Sequence, residues 1–448
     1  MTVDDQPIQA SGSPPSGSES ESASASQLAI ENYVAAMRRP RLMYAGVISV
    51  VVLGLVAFVA VMWSGSEVAH TTLHTAKQAP PSPAQQSPSP LPRLAWQSSD
   101  RTAIGTPLWG GTVVTYSSNS VRGRNARTGA MTWSYTRTDR VVCQAIQDQG
   151  VTVAIFEHGG NCDEVTGIDS GTGARKWTRT LDKDGAPVQG VPAYAVGPYT
   201  IMLTTPSVIY AFDPSGGLDR WTYAPHNCSI NGAALGTAGA LISQTCRAPK
   251  CDGLTYCGSG PQLLLRDATA GHSDDDKDKA NPDQIKWLLL GNTDIPASAD
   301  QVISAIDTSA RALVVFDAPK GKRLTALPLR ALSAFGGVPI VATSTASAEL
   351  VWIGGTAYAV DPAAQKLLWQ ASTISSPTVT AASGDASSTP DLSRATLAAP
   401  SAAGIDILDP RTGSVRQSIS IPAPKPGSLV YPFGTGFLVA GPGTITYQ

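Results

Sequence analysis

VTGIDSGTGARKW (165–177) is the stretch on which the fold turns. Apolar, β-type residues lead into Asp169, a short turn runs to Gly173, and Trp177 stands four residues further on. An aspartate can accept hydrogen bonds from the backbone two residues on, and glycine accepts the positive φ that closes such a turn. The tryptophan then falls on the returning strand, where its large apolar face can pack between neighbouring sheets.

The unit recurs. VRGRNARTGAMTW (121–133), VIYAFDPSGGLDRW (208–221), LLLRDATAG (263–271), VVFDAPKGKRL (314–324), AYAVDPAAQKLLW (357–369) and IDILDPRTGSVRQ (405–417) align on Asn125, Asp213, Asp267, Asp317, Asp361 and Asp409. Four residues after the acidic position stand Gly129, Gly173, Gly217, Gly271, Gly321 and Gly413, with Gln365 the exception. Eight residues after it stand Trp133, Trp177, Trp221 and Trp369. Successive copies are 44, 44, 54, 50, 44 and 48 residues apart. Several short strands per unit at that period are the sign of propeller blades, since one such unit leaves both faces bare. The segment LAWQSS (94–99) resembles the returning strand LLWQAS (367–372), and the final TITYQ resembles the strand before Asp213. The expected fold is therefore all-β: an eight-bladed β-propeller over residues 93–448, its last sheet made of three C-terminal strands and one N-terminal strand. Seven blades is the alternative.

N-terminal to the repeats, Leu42 to Trp63 contains no charge. That is long enough for one transmembrane helix, which needs roughly 20 residues. Arg38, Arg39 and Arg41 precede it and no Lys or Arg occurs from 64 to 75, so the N-terminus is expected in the cytoplasm and the repeats outside. Residues 1–26, rich in Ser, Glu, Pro and Gly, form an expected disordered tail. Residues 27–41 read as a juxtamembrane helix, 42–63 as the span, and 64–92 as a Pro/Ser-rich spacer holding the repeats off the bilayer.

The chain carries 32 basic and 34 acidic residues, so it lacks the basic surplus of a nucleic-acid binder. All six cysteines, Cys143, Cys162, Cys228, Cys246, Cys251 and Cys257, follow the apolar segment. An even number in an exported region reads as disulfides. Buried thiols or a zinc site are the alternatives, but the tightest spacing, Cys246 to Cys251, is poor for zinc. Cys143 and Cys162 flank one hairpin and Cys228 and Cys246 another, which leaves Cys251 with Cys257; six cysteines also permit other pairings.

At the Asp169 motif the chain resembles the quinoprotein alcohol dehydrogenase-like superfamily, whose blades carry an A-x-D-x-x-T-G-x-x-x-W pattern. The resemblance covers some 350 residues by repeat pattern. Length, eight units and a membrane tether look most like the scaffold branch that serves outer-membrane barrel assembly. A helical anchor and disulfides depart from that branch, so barrel assembly does not carry over. The enzymatic branch binds pyrroloquinoline quinone with calcium, and its best-known members join two adjacent cysteines; no Cys-Cys pair occurs here, nor a recognisable set of calcium ligands. His70, His74, His158, His226 and His272 read as linker and loop residues. The acidic run Asp274–Asp278 lacks the glycine and glutamate of an EF-hand loop. No G-x-S-x-G elbow or P-loop is present. The sequence thus points to a non-catalytic extracytoplasmic scaffold or sensor without a cofactor, catalytic residue or metal site. It would engage a protein or glycan partner through loops 247–262, 272–284 and 372–394. The alternative is a quinone- or other cofactor-dependent oxidoreductase.

Overall fold

The computed structural model describes residues 48–447 except 60, 64–65, 84–85, 87–88, 90, 107, 184–185, 188–189, 198–199, 248–258, 269–284, 330–339, 345–347, 362, 381–395 and 442. The expected tail, the juxtamembrane helix and residues 42–47 of the expected span lie outside the described residues. Residues 48–59 and 61–63 are helical, and their large apolar side chains are more than half exposed. Among the described residues no helix is long and apolar enough to cross a membrane. The chain divides into two compact units after His70, and all the sheets belong to Thr71–Gln448.

In that second unit the quoted turn forms as its residues dictate. Asp169 Oδ1 accepts from the N–H groups of Gly171 (3.1 Å) and Thr172 (2.9 Å), and its carbonyl accepts from Gly173 N–H at 2.8 Å. Asn125, Asp213, Asp361 and Asp409 repeat the pattern. Among the described residues the strands make eight sheets of four to six strands and one two-stranded ribbon, Asp182–Lys183 with Ala186–Pro187. Nearly all pairings join sequence neighbours antiparallel, as short hairpin turns require. The exception that matters most is Leu94–Gln97, which pairs with Ile445–Tyr447 in the register Leu94↔Tyr447 and Trp96↔Thr446. The two ends of the repeat region thus share the eighth sheet.

Eight apolar clusters hold the sheets together, each joining one sheet to the next. The eighth cluster returns to the start: Phe433 and Leu438 of the last sheet meet Val113 and Ala126 of the first. The tryptophans are the pins of these joints. Trp96, Trp133, Trp177, Trp221, Trp287 and Trp369 donate Nε1–H to the carbonyls of Ala126, Ser170, Pro214, Ala268, Ala318 and Pro410, all at 2.9–3.0 Å. Each of those carbonyls belongs to the residue after the acidic position in the next unit. The same indole lies on the turn glycine. A Cβ added at Gly129, Gly173, Gly217, Gly321 or Gly413 would come within 2.4–2.6 Å of an indole. Thr325 occupies the tryptophan position of the fifth unit, ahead of the sixth unit's turn. There Gln365 takes the place of glycine at φ +50°.

Within the Pro/Ser-rich spacer 64–92, the described part from Thr71 onward lies on the sheets. Thr71–His74 adds an antiparallel strand to the outer edge of Met131–Arg137. The chain then crosses several turns: Ala76 N–H bonds Thr172 O, Gly111 N–H bonds Pro80 O, Gln86 N–H bonds Gly434 O, and Ser89 N–H bonds Thr435 O, at 2.8–3.1 Å. A proline-rich segment suits this role. It is already extended, and a backbone of that kind leaves its carbonyls and remaining N–H groups available to partners outside the segment. The compact unit that holds the sheets runs from Thr71, and its first and last sheets are bridged by this strap.

Candidate functional site

Every four-stranded sheet has two ends. The turns from first to second and from third to fourth strand lie at one end; the second-to-third turn and the connections between sheets lie at the other. The strap rests on the first kind of turn, at Gly111, Thr172 and Gly434. The opposite rim is left to the connections.

That rim is tied down covalently and electrostatically. Cys143 is bonded to Cys162, bridging Val141–Asp148 and Asn161–Asp169 past the end of the strand between them. Cys228 is bonded to Cys246 directly across Cys228–Gly236 and Gly239–Cys246. Cys251 and Cys257 lie outside the described residues. Arg137, 1% exposed, bonds Asp139 (2.9 Å) and Glu164 and stands over the Phe156 ring at 5.7 Å. Arg140 completes the network at 3.3–3.4 Å from Glu164 and Asp139. Burial tends to raise the Asp100 carboxyl, but hydrogen bonds and charge from Arg124 and Arg122 win and hold it below its usual range.

Towards the middle of the unit, first strands of successive sheets touch one another. Three phenols gather there. Tyr431 O–H donates to Gly105 O at 2.9 Å. Burial pushes the Tyr194 phenol up to about 12, with nearby Tyr116 adding to the effect. Burial and then Tyr194 drive Tyr431 up as well. The strand Ile104–Gly105 pairs parallel with Val141–Asp148 and fills further space beside them. Among the described residues no cluster of three or more His, Cys, Asp or Glu could hold a metal.

A cleft of about 730 Å³ opens on the rim at the seam between the eighth and first sheets. Ser98, Ser99 and Arg101 line one side, and Pro422, Lys425 and Ser428 the other. Among the described residues the structure brings together none of the histidines singled out in the sequence. His70 ends the short helix Glu67–His70, His74 ends a strand, His226 sits in a connection, and His158 ends the strand Val151–His158. His272, the acidic run 274–278, and residues 248–258, 272–284 and 381–394 of the three candidate loops lie outside the described residues. Sequence reasoning missed the cleft, the three phenols and the Arg137 network. Its only available signal for the cleft was the end-to-end pairing, which places Arg101 beside the last sheet.

The family model described as outer membrane protein assembly factor BamB matches residues 92–234 and 280–431. Similar solved structures include BamB from Moraxella catarrhalis, 17% identical, covering 80% of this chain and 100% of that one at a TM-score of 0.45. The computationally designed Ika8 protein is 12% identical, with 83% and 99% covered and a TM-score of 0.49. The quinohemoprotein alcohol dehydrogenase ADHIIG from Pseudomonas putida is 13% identical, with 80% and 76% covered and a TM-score of 0.45. No curated protein matches the chain.

Proposed function

Since the chain belongs to the family of the outer membrane protein assembly factor BamB, we propose that it is a non-catalytic binding scaffold or sensor of the cell envelope. Its eight sheets are read as eight propeller blades, a reading supported by eight apolar joints that return to their starting sheet. The apolar segment 42–63 is read as a single membrane anchor, with the N-terminus in the cytoplasm and the propeller outside. The two disulfides suit that oxidising side. Barrel assembly is not part of the proposal.

One observation carries the binding role: the strap lies over turns at one rim, while the opposite rim holds the disulfides, the buried arginine network and an open cleft. A rigid frame presenting irregular connections is the usual platform for a partner. A photo-crosslinking residue placed in the full-length chain at Ser207 or Ala402, exposed on second-to-third turns, tests this in intact cells. Ser215 and Arg411, exposed on the strapped side, serve as controls. Protein or glycan adducts are expected from the first pair. Adducts from the controls alone would reject the assignment of the binding rim.

A further inference from the structure

The rim reading underlies a more specific one: we propose that the cleft at the seam binds an acidic, extended peptide segment of a protein partner. Its charged lining residues are Arg101 and Lys425, both exposed, and among the described residues no carboxylate lines it. The acid next in sequence to Arg101 is already committed. Asp100 accepts from Arg122 at 3.0 and 3.1 Å, from Arg124 at 2.8 Å and from the Thr115 hydroxyl at 3.3 Å. One carboxylate held between two guanidiniums leaves the surroundings of Arg101 cationic.

Both cations sit on fixed backbone. Arg101 is paired in register with Tyr116. The Lys425 loop is closed by Ser428 N–H on Lys425 O (3.0 Å) and Gly427 N–H on Ser375 Oγ (2.7 Å), with Pro424 buried beneath. Positions set in advance reduce the ordering cost of binding.

Three features favour a peptide. The volume lies within the usual range for ligand clefts, about 300–1,000 Å³. The Pro422–Pro424 wall is apolar, and among the described residues no aromatic ring lines the cleft for a sugar to stack on. The Trp96 indole is turned away, onto Gly129 and Ala126. Finally, Gln97 at the cleft ends Leu94–Gln97, which is an edge strand of its sheet. An extended segment pairing along such an edge presents alternate side chains to one face. The chain already shows this mode next door, where Thr71–His74 covers the edge of the first sheet.

Fluorescence anisotropy on the full-length chain in detergent tests the inference, using a labelled seven-residue peptide of alternating valine and glutamate. A peptide with glutamine in place of glutamate is the control. The glutamate peptide is expected to bind, to weaken about tenfold in Arg101→Ala and in Lys425→Ala, and to weaken as salt is raised. Lys320→Ala, an exposed change on the strapped side, should leave binding unchanged. Equal binding of the glutamine peptide, or no loss in either cleft variant, overturns the proposal. So does binding of polygalacturonate without binding of the peptide. Should the peptide fail while adducts at Ser207 and Ala402 still form, the cleft assignment falls and the rim reading stands.

Discussion

Gly173→Ala attacks the joint between the first and second sheets in two separable ways. Gly173 has φ +76°, where an L side chain costs roughly 1–2 kcal/mol. The added Cβ would also lie 2.6 Å from Cβ and Cγ of Trp133. That indole is 1% exposed and bonded to Ser170 O at 2.9 Å, so it cannot swing aside freely. Overpacking of this kind adds about 1–3 kcal/mol, for a combined loss of about 2–5 kcal/mol. Gly291→Ala is the matched control: φ is +72° and no atom lies within 4 Å of its added Cβ. It should lose only the backbone share, about 1–2 kcal/mol. Urea unfolding followed by tryptophan fluorescence reads both, and their difference isolates the clash. Equal losses would refute the view that the indole pins the joint. Gln365→Gly adds a third point. With Thr325 in place of an indole before it, that turn should change by less than about 1 kcal/mol.

Burial pushes the Asp148 carboxyl up to about 6, against a weaker pull from Gln149 N–H. The folded state therefore holds this proton more tightly than the unfolded chain. Stability should fall by about 2–3 kcal/mol as pH rises from about 4 to above 6. Asp148→Asn should flatten that slope and stabilise the protein at pH 7.5; a slope unchanged in the variant assigns the titration elsewhere. The Cys143–Cys162 bond closes a sequence separation of 19 residues, and replacing both by alanine should cost about 3 kcal/mol in urea unfolding. Equal midpoints for parent and variant without reductant would contradict this. Arg266 is 2% exposed, lies 4.6 Å from the Trp221 ring, and its Nε and Nη1 find no hydrogen-bond partner among the described residues. Burial brings its guanidinium down to about 10. Arg266→Met should be neutral or stabilising by up to about 2 kcal/mol, and a loss beyond 1 kcal/mol would show that its charge is compensated.

The hairpin units were legible because aspartate, glycine and tryptophan act within a dozen residues of one another. Trp177 and Asp169 reveal their turn at a glance. Trp287 does not, because residues 269–284 separate it from Asp267 and break the spacing. Trp96 precedes every copy of the motif, and its sheet is completed by strands at the far end of the chain. The cleft was hidden for the same reason, since Arg101 and Lys425 become neighbours only through that closure. The strap escaped notice on other grounds. A proline-rich segment has one composition whether water or Gly111 and Gly434 meet its backbone, and only the folded turns decide between them.

The strap is sewn in at both ends, Thr71–His74 on the first sheet and Leu94–Gln97 on the eighth. Residues 75–93 must therefore reach a set distance whatever side chains they carry. Each residue deleted removes up to about 3.3 Å of reach, and the shortfall would have to be met by unzipping one of the two strands. Each residue inserted merely bulges outward, at a cost that grows only logarithmically. This stretch can drift in composition and tolerate lengthening, yet it resists shortening, the behaviour of a measured strut and not of a loose tether.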